Sequence, residues 1–115
     1  MKRMERATEQ KTKEGLISSV SYVFGNPIVL ASLERLFGPL SSAYVLGHTP
    51  DQSEAFYVVL VNGFAIAKYE LSRSSNAEIE NIVTVSVDEY RKALRGRQSH
   101  LKLSMAVELA SGRLG

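Results

Sequence analysis

The chain has 115 residues and a mass of 12.7 kDa, enough for one domain with a modest core. With 44% hydrophobic and 23% charged residues and a mean hydropathy of -0.07, it falls outside the compositions of disordered, collagen-like and coiled-coil chains. Zero cysteines and only two histidines, His48 and His100, exclude a disulfide scaffold, a thiolate site and a multi-histidine metal centre.

The net charge of +2 conceals an uneven distribution. Residues 1–14 carry five bases against three acids, residues 15–90 three bases against eight acids, and residues 91–115 six bases against one acid. An acidic middle and a basic tail in one small domain attract each other, within a chain or between subunits. Nucleic acid is the alternative partner for such a tail. No apolar stretch approaches the roughly 20 residues that span a bilayer, so no membrane is expected. Lys2, Arg3 and Arg6 are interleaved with Glu5 and Glu9, unlike a signal peptide, and a cytoplasmic location is expected.

Residues 1–14 have apolar positions only at Met1, Met4 and Ala7 and read as a polar N-terminal arm or frayed helix. From Leu16 to Phe24 two readings compete. Leu16, Val20, Val23 and Phe24 are spaced as on a helix, while Val20, Tyr22 and Phe24 alternate as on a strand. The next element tips the choice to helix, with Gly25 closing an αα-hairpin across residues 16–37. In that element Asn26 caps, Pro27 suits the first helical position, Val29, Leu33, Leu36 and Phe37 line one face, and Gly38 stops the helix.

After Pro39 the period changes to two. Residues 42–47 read as a short strand and Thr49-Pro50-Asp51-Gln52 as a turn. Two β-rich runs, 54–61 and 64–71, flank Asn62-Gly63, the dipeptide of a type I′ hairpin. Pairing Val61 with Phe64 predicts one face of Leu60, Val58 and Phe56 with Ala65, Ala67, Tyr69 and Leu71. The opposite face then holds Val61, Val59, Tyr57, Phe64 and Ile66. A polar linker at 72–76 leads to a fourth strand, 78–85. Ser86 and Glu89 form a capping box opening a helix that Gly96 ends. Residues 101–109 fit both periods, but Leu, Lys, Met, Ala and Glu favour helix, with Gly112 as its stop. The expected fold is α+β: one domain, 1–115, with a helical segment at 16–37, a four-stranded antiparallel β-meander at 42–85 and C-terminal helices at 87–111, the helices packed on one face.

Chemistry is sparse. His48, Asp51 and Glu54 recur at three-residue spacing, but a Thr-Pro-Asp turn accounts for Asp51 and no metal site is expected. Ser53, His48 and Asp51 form a triad only on paper, since no nucleophile elbow is present. The glycines do not cluster as in a phosphate loop. A helix-turn-helix reading fails because the second helix, 27–37, has Arg35 as its only base. Residues 62–69 match an RNA-recognition signature at Gly63, Phe64, Ala65 and Tyr69 but break it elsewhere and in element order, so no family is assigned. No catalytic residue and no cofactor is expected.

Two surfaces remain. Apolar residues on the predicted face of Val61, Val59, Tyr57, Phe64 and Ile66 suggest a homodimer interface, and Tyr44, Tyr57, Val59, Phe64, Ile66 and Tyr69 are the candidate interface or ligand residues. Arg91, Lys92, Arg95, Arg97 and Lys102 are the candidate nucleic-acid contacts, with Arg91, Arg95 and Lys102 on one side if the helix is continuous. The expectation is a non-enzymatic interaction or ligand-binding module, homodimeric, with nucleic-acid binding as the alternative.

Overall fold

The structure is a computed structural model that describes residues 2–72 and 79–112, with side chains from residue 8 onward. Its elements are α1 (Lys2–Ser19), α2 (Ser21–Phe24), α3 (Pro27–Phe37), β1 (Ala43–Pro50), β2 (Glu54–Val61), β3 (Ala65–Ser72), β4 (Ile79–Ser86), α4 (Val87–Ala93) and α5 (Arg97–Ala110). The strands form one antiparallel sheet in the order β1-β2-β3-β4, an α+β meander as expected. Beyond Ser72, the linker lies outside the described residues.

The competing periods at 16–24 resolve as helix. Leu16 and Val23 are fully buried, and α2 continues the direction of α1 after Val20. The segment Thr8–Phe24 meets α3 at 91°. Gly25 makes that corner in right-handed geometry rather than as a left-handed stop, and a Cβ there would lie 2.5 Å from the Ser21 carbonyl oxygen. Asn26 caps α3 by accepting from the Ile28 and Val29 N–H groups at 3.1 and 3.3 Å. Gly38 ends the helix at φ 75°.

The β2–β3 turn has the positive φ values that Asn-Gly suggests, 52° at Asn62 and 77° at Gly63, and Phe64 N–H donates to the Val61 carbonyl at 3.2 Å. Phe64 nevertheless stands outside the ladder, so Val61 pairs with Ala65 and not with Phe64. That single extra residue moves every β3 side chain to the other face. Val61, Val59 and Tyr57 now lie beside Ala65, Ala67 and Tyr69, while Leu60 lies beside Ile66.

Helices therefore cover both faces, where the sequence reading placed them on one. On the first face Val23, Val29 and Leu33 pack on Val45, Val59, Tyr57 and Tyr69. On the second, Leu16 of α1 and Leu103, Ala106 and Leu109 of α5 pack on Leu46, Leu60 and Ile66. The cover differs in extent. Along β2 the first face stays buried from Val61 through Val59 and Tyr57 to Ala55. The second passes from buried Leu60 through half-buried Val58 to exposed Phe56.

The C-terminal helices are two, not one run through the basic segment. Ser86 accepts from Glu89 N–H at 3.1 Å, and its hydroxyl donates to the Glu89 carboxylate at 3.3 Å. Leu94 leaves helical geometry at ψ 140°, and Gly96, at φ 91°, begins α5 rather than simply ending α4. His100 Nε2 lies 3.1 Å from the Leu94 carbonyl and ties the α4–α5 elbow together.

Candidate functional site

The six residues proposed as one interface or ligand lining are distributed over three places. Tyr57, Val59 and Tyr69 are buried in the first core. Ile66 is buried in the second, with Tyr44 half-buried against it. Phe64 projects from the turn and is 62% exposed. The register shift separates them, because it places Phe64 outside the ladder and Ile66 opposite in facing to Val59 and Tyr57.

Tyr57 and Tyr69 belong instead to an aromatic ladder at the far end of the first face. Tyr69 stacks on Tyr57 at 5.4 Å, Tyr57 on His48 at 4.5 Å, and Tyr22 tilts against both Tyr57 and His48. Burial, with the neighbouring Tyr57 second, pushes the Tyr69 phenol well above the ordinary tyrosine range. In the ladder His48 faces away from Glu54, and the His48, Asp51 and Glu54 spacing does not produce a shared site.

The second face carries a cluster that sequence spacing does not reveal. Glu54 on β2, Glu70 on β3 and Glu80 on β4 bring carboxylate oxygens within 4.8 Å of one another. Glu70 is directly opposite Glu80, and Glu54 sits one strand over at the same end. The meeting depends on a β4 irregularity between the partners of Lys68 and Glu70, where Asn81 takes φ 52°. Asn81 Nδ2 donates to a Glu70 carboxylate oxygen. Repulsion from Glu70, then desolvation, raises the Glu54 carboxyl above 4.5. Three hard oxygen donors at this spacing match part of a divalent-cation ligand set. Exposed carboxylates also collect at strand ends without one. Among the described residues, no base lies within ion-pair distance of these three.

Beside the acids the sheet surface is apolar. Phe56 is 39% and Val83 54% exposed, and a shallow depression of about 270 Å³ has Phe56, Val58, Lys68, Glu70 and Asn81 in its lining. Lys68 extends the other way, its ammonium 5.6 Å from the centre of the Tyr90 ring on α4.

Of the basic candidates, Arg91, Lys92, Arg95 and Arg97 are exposed on the α4–α5 elbow, while Lys102 is half-buried and lines a small cavity with Leu46, Tyr90 and Leu103. Because the helix breaks at Leu94–Gly96, Arg91, Arg95 and Lys102 do not share one continuous helical face. Arg91 pairs with Asp88 one turn back at 3.5 Å. The basic elbow and the acidic cluster lie on the same sheet face without touching.

Comparison of the chain with known family models, with curated proteins and with solved structures finds no match. Among the described residues no single helix is long and apolar enough to cross a membrane.

Proposed function

We propose that this protein is a small non-enzymatic interaction module that associates with itself, as a homodimer, in the cytoplasm. The observation that carries this reading is the incomplete cover of the second sheet face. Phe56 of β2 and Val83 of β4 are exposed there, and β4 lies at the edge of the sheet among the described residues. An apolar sheet surface next to a free strand edge is ordinarily covered, by the chain itself or by a partner. The ligand-pocket version has less support, because its aromatic lining is split between two faces and the depression beside Phe56 is shallow. Sedimentation equilibrium at micromolar concentration tests the proposal. It expects twice 12.7 kDa, and a monomer at every concentration and salt refutes it.

Nucleic-acid binding remains the second reading, favoured by the exposure of Arg91, Lys92, Arg95 and Arg97 on one elbow. It requires affinity for mixed duplex and single-stranded oligonucleotides that falls steeply with salt, each lost phosphate contact flattening the slope by about one unit. No binding at low salt eliminates it.

A further inference from the structure

The second sheet face is a step. Near the β2–β3 turn it carries α4, α5 and the end of α1, a layer about 10 Å thick. Beyond Val58 and Lys68, among the described residues, Phe56 and Val83 form an exposed floor bordered by Glu54, Glu70 and Glu80. The raised half ends in Arg91, Lys92, Arg95 and Arg97, all exposed. One face thus presents a raised basic half and a recessed acidic half.

We infer that two copies of this chain stack through these faces about a two-fold axis, each seating its basic α4–α5 elbow on the recessed acidic floor of the other. The inference rests on the self-association reading above and specifies its surface. Three features carry it. Shape is self-complementary, since a step rotated by 180° fits itself, and both contacts form at once because elbow and floor share a face. Charge is complementary, with three carboxylates meeting four bases. The elbow is also ordered beforehand: Tyr90 and Leu94 pack into the second core, and His100 reaches the Leu94 carbonyl. The same anchoring holds the elbow over its own half of the sheet, away from its own acidic floor.

Charge reversal in two sets tests this. Glu54→Lys with Glu80→Lys converts the floor while leaving Glu70 with Asn81. Arg95→Glu with Arg97→Glu converts the elbow and spares the Arg91–Asp88 pair. Each doubly reversed protein alone is expected to dissociate about 100-fold or more readily than the unmodified chain, from like charges placed face to face. An equimolar mixture of the two is expected to recover a one-to-one dimer, because one contact in the mixed pair restores the unmodified elbow and floor and in the other the substituted positions again face opposite charges. The unmodified dimer is expected to weaken as salt rises. Circular dichroism reports folding. If a reversed chain does not fold, Glu54→Gln with Glu80→Gln and Arg95→Gln with Arg97→Gln make the same test, each expected to weaken association about tenfold. A dimer indifferent to the substitutions in both sets overturns the inference but keeps self-association, and its loss on Thr84→Pro would place the contact on the β4 edge. Failure of folded reversed chains to recover a dimer on mixing overturns it as well. A monomeric unmodified chain removes both readings.

Discussion

Replacing Asn62 with alanine removes a side chain that ties the β2–β3 turn to the loop entering β1. Its Oδ1 accepts from Ser41 N–H at 2.7 Å, Ser41 Oγ at 3.1 Å and Ser42 N–H at 3.3 Å, and its Nδ2 donates to the Pro39 carbonyl at 3.3 Å. Its backbone N–H donates to the Ser42 carbonyl at 2.9 Å and survives substitution. Ser41 is exposed and recovers water, so the lost side-chain bonds are worth about 1–2 kcal/mol net rather than four full bonds. The residue also sits at φ 52°, where an alanine side chain costs about 1 kcal/mol more than asparagine. The total is about 2–3 kcal/mol, a fall of roughly 10 °C in melting temperature for a domain of this size. Urea unfolding measures it, with the midpoint moving and the slope unchanged. Two further variants separate the contributions. Asn62→Gly accepts the positive φ and loses only the bonds, so it falls between alanine and the native residue. Asn62→Asp keeps the acceptor and loses the donor, so it lies nearest the native residue. Equal costs for the alanine and glycine variants would refute the backbone argument, and values within about 0.5 kcal/mol of native for both would refute the hydrogen-bond argument.

Ser19 Oγ, buried at the end of α1, donates to the Leu16 carbonyl at 2.6 Å and accepts from Val45 N–H of β1 at 2.9 Å. Ser19→Ala strands that buried N–H and is expected to cost about 1–3 kcal/mol in urea unfolding, with faster hydrogen exchange at Val45. Ser42 is the converse case. Its Oγ is buried without a partner, so Ser42→Ala is expected to be neutral or to stabilise by up to about 1 kcal/mol in the same assay. Tyr69 governs the alkaline limit. Its phenol is raised above 10 in the folded chain, so the unfolded chain loses this proton first and stability falls as pH climbs past 10. Tyr69→Phe is expected to lessen that fall in urea titrations above pH 10, and an unchanged pH dependence would contradict the burial argument.

Local chemistry made much of this protein readable in its sequence, because capping, turn formation and periodicity act over a few residues. Asn26-Pro27, Gly38, Asn62-Gly63 and Ser86 each act within one turn of chain, and each stands where its chemistry requires. The α+β class and the meander order follow from them. Facing did not follow. Whether Phe64 belongs to the ladder or to the loop is decided by how the Asn62-Gly63 turn packs on the α3–β1 loop and α5, where a Cβ on Gly63 would lie 3.0 Å from Ala110. With a period of two, that one residue reassigns all of β3 and brings helices to both faces. The acidic cluster is tertiary for the same reason. Glu54, Glu70 and Glu80 are far apart in the chain, and only strand register and the irregularity at Asn81 place them together. The charge asymmetry between the middle and the tail is plain in the sequence. That the basic elbow and the acidic cluster share one face yet do not touch depends on where α4 and α5 come to rest, and only tertiary packing decides that.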